Sequence, residues 1–571
     1  MLINKGMVIT LLFFCFLKNP GFAQPIDYNF DVSSYDIYYE INAGERIFTS
    51  VQNIIITNTS ATPLDRIHFL LHPDLVIDDI VLQNSQGKSL PINHWTLPGT
   101  TKIFQNELQI VEVSTIQALD SEKEYKFHLE YHMQPGAFKD ISQIPDNTLD
   151  LVMSSQVSYA VGPYTGHNVI FNRNLLAPFR MRIKYPQGNL CCAPGTLSTS
   201  DKKSGYNIET YHCNSPNIPT FSCATYEKKV RKIGDITFEF YLYPGQSFVH
   251  DMVTIPAQFV QLYTSHFGDI GTETYRFGNI GAPNSQLLRL ENKGNTIYLA
   301  DLLTRYYTAE EGIRDMFNGL IAHELFHNWN IFSVHWVGQL TDWFEEGGAN
   351  FIGAWAGEQI ISQSFGVSGR THFTSAYAGE RGSPGYDANG TLETISKKNA
   401  GDSELMLMYY YGALVWEQLR QKLGDGVFFS GLGDFFRKYR LRTATYEDFL
   451  QCMQSKTNVQ VAEYLSQWMK HNAKIDLLIA NVNIQKTSDI YSNEIEISVD
   501  SDRDYDLFTS IGYRTSLKDD MEVIDVHTTE RGNHTITFQS EGEPVFIQID
   551  PDCRVPQINL DNNIWSQEPK K

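Results

Sequence analysis

Alternation of apolar and polar residues dominates the first part of the chain. The stretches YDIYYEI, VQNIIITN, KEYKFHLEYHM and ITFEFYLYP alternate or concentrate β-branched and aromatic residues, with Gly, Pro, Asn and Asp between them. That pattern predicts strands separated by turns. NTSATPLDRIHFLLHP reads as a turn and a strand whose apolar side chains need a partner sheet. Near Ser247 the period lengthens. TIPAQFVQLYTSHFGDI, IRDMFNGLIAHELFHNW, SELMLMYYYGALVWEQLRQKLGD, DGVFFSGLGDFFRKYR, TYEDFLQCM and VAEYLSQWM carry apolar stripes at helical spacing. A strand-like region, LLRLENKGNTIYLADLL, lies between the first two. Beyond His471 the strands return in KIDLLIANVNIQK, SNEIEISVD, HTITFQS and PVFIQID.

These changes of texture divide the chain into an N-terminal β domain at residues 24–246, a mixed α/β core at 247–473 and a small β-sandwich at 474–571. A length of 571 residues calls for several such cores. Residues 1–23 read as an export signal: Lys5 supplies the positive end, Met7 to Leu17 the apolar run, and Gly21-Phe22-Ala23 the cleavage region. The expected mature protein is exported, whether periplasmic, cell-surface-associated or extracellular, without a transmembrane anchor.

The formal charge of −21 argues against a nucleic-acid partner, whose phosphates need a positive surface. Six of the seven cysteines follow the signal: Cys191, Cys192, Cys213, Cys223, Cys452 and Cys553. Four lie in one segment, so one or two disulfides are expected there in an oxidising compartment. No CxxC pair accompanies Cys191-Cys192, which argues against a structural zinc.

The chemistry gathers in IAHELFHNWN and TDWFEEGGAN. On a helix, His323 and His327 project from nearly one face, so two neutral imidazoles can take two corners of a zinc tetrahedron. Glu324, beside them, is placed as the base that takes a proton from water. A pair of core histidines is the competing explanation, and a third ligand decides between them. An elongated motif would need glycine at Asn330 and histidine at Ser333, and has neither; His335 is too far along the helix. Asp342 and Glu345 fit a capping box, which leaves Glu346 on another face to reach the metal.

HELFH, the eighteen residues from His327 to Glu346, and the setting Trp343-Phe344-Glu345-Glu346-Gly347 resemble the M1 family of zinc aminopeptidases, within the gluzincins. Asn328-Trp329-Asn330 also looks like the related M61 glycyl aminopeptidase group. The resemblance implies a saddle-like or sandwich β domain, a thermolysin-like α/β metallopeptidase core and a C-terminal β-sandwich. It implies Zn2+ held by His323, His327 and Glu346, with Glu324 as general base and peptides as substrates.

The family also carries an oxyanion-stabilising tyrosine in a Y-x-K-G-A helix. MYYYGALVWEQL is similar and puts Tyr409 at that position, with Tyr410 and Tyr411 as alternatives. The family's G-x-M-E-N strand, whose glutamate binds the substrate amino group, is matched by Gly281-Ala282-Pro283-Asn284-Ser285. Gly281, Ala282 and Asn284 are thus the expected substrate-binding residues. Asn284 replaces the glutamate and brings no neutralising charge; Glu291 is a substitute only in a shifted register. Aminopeptidase action is the expected function, with a zinc endopeptidase or a nonhydrolytic peptide-binding protein as the alternatives.

Overall fold

The computed structural model describes residues 29–567, apart from 43–46, 72–74, 104–105, 134–158, 162–176, 247, 249–250, 281–289, 293, 301–310, 381 and 396–400. The export signal and Gly281, Ala282 and Asn284 lie outside the described residues. The architecture is β-rich at both ends around a mixed α/β middle, as the pattern predicts. The chain divides into two compact units. One comprises residues 1–257 and 270–317; the other comprises 258–269 and 318–571.

In the first unit a β-bulge sets the phase of the opening strand, Phe30–Asn42. Phe30 and Val32 are buried, then the register against Ile47–Asn58 slips between Val32 and Ser34. Burial resumes on Tyr35, Ile37, Tyr39 and Ile41, because one extra residue moves the following side chains to the other face. The strand belongs to an eight-stranded sheet and pairs in parallel with Ala177–Pro186. A separate five-stranded sheet joins Ile236–Leu242, Thr274–Ile280 and Thr296–Ala300 in parallel. Leu290–Asn292 forms one edge of it, pairing antiparallel with Thr296–Ala300.

Among the described residues the expected disulfides are absent. Cys191 and Cys223 stand opposite each other across two short strands, yet all six described cysteines are buried free thiols. Cys191, Cys213 and Cys223 pack within the apolar cluster of the large sheet, where a thiol behaves as a small hydrophobe.

Helices α1 (Asp251–Phe267) and α2 (Glu311–Asn330) lead into α3 (Gly348–Ile360), α4 (Gln363–Ala378), α5 (Asp402–Met406), α6 (Gly412–Leu423), α7 (Asp425–Lys438), α8 (Tyr446–Gln454) and α9 (Val461–Met469). In the second unit Tyr263 of α1 anchors α2: its hydroxyl donates to the Ala322 carbonyl at 3.0 Å. Its ring meets Phe326 and Trp329 edge-on, with centroids 5.5 and 5.4 Å away. Geometry of this kind adds directional preference to the area buried.

The unit closes with two four-stranded sheets built on Ile475–Thr487 with Ile490–Ser501, and on Leu507–Arg514 with Phe546–Ile549. Their alternating inward residues, among them Leu477, Ile497, Ile511 and Ile549, are buried. Asp550 ties the returning chain: it accepts from the backbone N–H groups of Arg554 and Val555 at 2.9 and 3.1 Å, and from Gln557 at 3.0 Å. Helices hold this sandwich by polar contacts. Arg370 of α4 donates to the Asp552 carbonyl at 2.9 Å, and the Gln418 amide of α6 donates to the carbonyls of Phe508 and Arg554 at 2.7 and 3.0 Å. Among the described residues, no helix is long and apolar enough to cross a membrane.

Candidate metal centre

Helix α2 buries Ile321, Ala322, Leu325, Phe326 and Trp329, which turns His323, Glu324 and His327 away from most of that apolar surface. Helix α3 crosses close by. A Cβ on Gly353 would lie 3.1 Å from the His323 backbone nitrogen, so glycine is what permits this approach.

The next functional segment departs from the expected capping box. Asp342 has helical backbone angles and makes no side-chain cap bond, and Trp343–Gly347 form a π-helical turn that runs directly into α3. The helix already begins upstream, with the Phe344 N–H bonded to the Leu340 carbonyl at 3.0 Å. With no helix start at Trp343, no cap is required there. The wider turn carries Glu346 inward, where its side chain is only 9% exposed. π-Turns within helices are frequent at functional sites because they re-aim a side chain.

His323, His327 and Glu346 come together, each offering one ligand atom within 4.8 Å of the others. The two Nε2 atoms are 3.1 Å apart. Glu346 Oε2 lies 3.3 Å from Nε2 of His323 and 3.8 Å from that of His327. Ligand atoms about 2.1 Å from a tetrahedral zinc stand roughly 3.4 Å from one another, so the three positions bracket that edge.

Both remaining ring nitrogens have amide partners. Nδ1 of His323 meets Asn350 Oδ1 at 2.8 Å, and Nδ1 of His327 meets Asn330 Oδ1 at 3.1 Å. Each Nδ1 is therefore the protonated nitrogen, which directs both Nε2 lone pairs toward Glu346. Two lone pairs and a carboxylate converging in a largely buried space require positive charge, so the donor set fits a divalent metal. The same demand acts on His323 as a base. Burial lowers its proton affinity, but Glu346 and Glu324 outweigh burial and hold it above the ordinary imidazole value.

His335, set aside from the sequence, sits on the short strand Val334–Trp336 paired with Arg442–Ala444 and is not part of the cluster.

A second π-turn, Leu407–Tyr411, joins α5 to α6 and carries the three consecutive tyrosines. Two of them have evident packing duties. Tyr411 is buried and donates to the carbonyls of Trp468 and His471 at 2.9 and 3.0 Å. Tyr410 is buried against His372 and Phe373, with ring centroids 5.2 and 5.9 Å away. Tyr409 alone of the three is partly exposed, and its backbone carbonyl accepts from Asn350 Nδ2 at 2.9 Å. A chain of two hydrogen bonds thus links His323 to the backbone of Tyr409.

The roles of Asn330 and Asn350 escaped the sequence reading. A usable signal was present: an amide three residues beyond His327, and another four beyond Glu346, within reach of ligands that need orienting.

The His–His–Glu cluster has the donor set of a zinc metallopeptidase. Residues 270–468 match the model of the peptidase family M1 domain, and the chain has the M1-family zinc metallopeptidase fold. Two crystal structures of an M1 zinc metallopeptidase from Deinococcus radiodurans, both of a glutamate-to-alanine mutant, are similar to it. One, bound to a Tyr-Ser-Ala substrate, has a TM-score of 0.57 at 17% identity, covering 80% of this chain and 96% of its own. The other has a TM-score of 0.58 at 17% identity, covering 79% and 96%. No curated protein sequence gives a significant match.

Proposed function

We propose that this protein is a zinc-dependent aminopeptidase that releases N-terminal residues from peptides. The observation that carries the reading is the convergence of His323, His327 and Glu346 beside Glu324 within the M1 domain. The tripeptide held by one structural neighbour supports short peptides as the substrate class.

Zinc bound by the two imidazoles and Glu346 supplies a Lewis acid that acidifies water and polarises a carbonyl. Glu324, adjacent to His323 on the rigid α2, accepts a proton from the attacking water and returns it to the departing amine. The Tyr409 hydroxyl donates a hydrogen bond to the oxyanion that develops on the substrate carbonyl. Gly281, Ala282 and Asn284 form the proposed substrate-binding stretch. The expected export signal makes this an enzyme acting outside the cytoplasm on peptides encountered there.

Asn284 favours one second reading. An amide accepts from an ammonium group without neutralising it, so the preference for a free N-terminus is weakened and internal cleavage becomes the rival activity. Paired peptides that differ only in N-terminal acetylation separate the two. Stepwise release from free peptides alone supports the aminopeptidase, whereas equal cutting of the acetylated series overturns it.

A further inference from the structure

Asn330 and Asn350 each use both ends of one amide. Oδ1 faces an imidazole Nδ1 in each case. The other end faces carbonyl oxygens: Asn330 Nδ2 donates to Phe344 and Glu345 at 3.0 and 2.7 Å, and Asn350 Nδ2 donates to Tyr409 at 2.9 Å. A carbonyl only accepts, so these contacts fix which end of each amide carries the NH2 group. Each Oδ1 must then receive the imidazole N–H. The tautomer of both proposed ligands is dictated from outside the ligand set.

The carbonyls that orient the amides are not arbitrary ones. Phe344 and Glu345 belong to the π-turn that delivers Glu346, and Tyr409 lies within the π-turn of the proposed oxyanion donor. π-Turns leave backbone carbonyls displaced from regular α-helical bonding, and here side-chain amides bind them. Asn330 is fully buried, and its environment offers water little opportunity to substitute.

We infer that Asn330 and Asn350 are positioning residues that couple the two imidazoles to the two π-turns, Asn330 joining His327 to the Glu346 turn and Asn350 joining His323 to the Tyr409 turn. The inference rests on the zinc reading above. Asn330 acts on metal affinity, since it orients one ligand and steadies the turn of another. Asn350 acts on metal affinity through His323 and on turnover through Tyr409. Aspartate at residue 350 separates those two effects. It keeps an acceptor for Nδ1 and makes the imidazole a stronger donor to metal, but it sets a carboxylate oxygen against the Tyr409 carbonyl in place of an N–H.

The test measures the zinc dissociation constant of the purified full chain by competition with a chelator, and then kcat and KM at saturating zinc. N330A and N350A are expected to weaken zinc binding by about 10- to 100-fold. N350D is expected to bind zinc at least as tightly as the parent, with kcat lowered by about 10-fold or more and KM little changed. Parental zinc affinity in a folded N330A or N350A overturns the inference, as does parental kcat in N350D. Should an alanine variant not fold by circular dichroism, N350D alone decides the matter. A parent chain that fails to bind zinc refutes the proposed function itself, a result distinguishable from either of these.

Discussion

Gly347 and Gly412 meet backbone to backbone: a Cβ on Gly347 would lie 3.0 Å from the Gly412 carbonyl carbon and 3.1 Å from its Cα. Each glycine stands at the end of a π-turn, one carrying Glu346 and the other Tyr409. The contact sets how near those turns come. G347A is expected to push them apart, costing about 1–3 kcal/mol of stability by overpacking. Its kcat should fall by more than that of a surface substitution of equal stability cost, measured by denaturant melts and steady-state kinetics.

Glu324 lies outside the ligand set and is the proposed base. E324Q is expected to retain zinc, measured by metal analysis after dialysis, while kcat drops by about 10²–10⁴-fold. Full turnover by clean, zinc-loaded E324Q would sink the assignment of the base.

The tyrosines separate by burial, Tyr409 being partly exposed and Tyr411 buried. Removing the Tyr409 hydroxyl in Y409F should lower kcat by about 10²–10³-fold with little change in melting temperature. Removing that of Tyr411 in Y411F leaves the Trp468 and His471 carbonyls without their donor. That variant should lose about 1–3 kcal/mol of stability and keep most of its turnover once folded. The reverse pattern would transfer the catalytic role to Tyr411.

Acid should destabilise the helical half through Glu417. Burial alone would raise the proton affinity of this carboxyl, but Arg370 and Arg420 outweigh burial and hold it below its ordinary value. The folded state therefore binds the proton less tightly than the unfolded chain. Its stabilisation is fully present above the unfolded carboxylate range and is lost as pH falls through the lower, folded value. E417Q is expected to cost about 3 kcal/mol at neutral pH, because it removes one partner from a buried charged network. The difference from the parent should shrink below about pH 4, near the unfolded carboxylate range, in melts recorded across pH.

Metal removal should register as lost stability as well as lost activity. With free zinc at 100 times its dissociation constant, binding stabilises the folded state by about 2.7 kcal/mol, a gain a chelator should abolish. E346Q is expected to melt at nearly the same temperature with and without zinc. A zinc-dependent rise equal to that of the parent would remove Glu346 from the ligand set.

Much of this site was legible in the sequence because a helix converts spacing into direction. His323 and His327 lie four apart, and the run of apolar residues around them specifies which face is buried. Glu346 was reachable by spacing from its family-like setting. Its mode of delivery was not, since a π-turn adds one residue to a helical turn without leaving a compositional mark, and Asp342-x-x-Glu345 imitates a cap. Asn330 and Asn350 left only a faint mark, their spacing from His327 and Glu346, because the carbonyls that orient them lie fourteen to fifty-nine residues away, which no local pattern encodes. The phase change at Val32 to Ser34 likewise depends on a register slip against a neighbouring strand. The adjacent thiols misled because clustering in sequence resembles pairing, while burial among apolar side chains explains them equally well.

The bonds from Arg370 and Gln418 to the terminal β-sandwich have a practical bearing on how this protein can be cut. Gln418 is fully buried and also accepts the Phe508 N–H at 3.0 Å, so its amide is spent entirely on residues beyond 473. A shortened gene ending after α9 would strip those partners from the helix that continues directly from Tyr409. The smallest piece worth expressing therefore runs through the Asp550 knot, and the sandwich is a floor beneath the helices rather than a detachable tail.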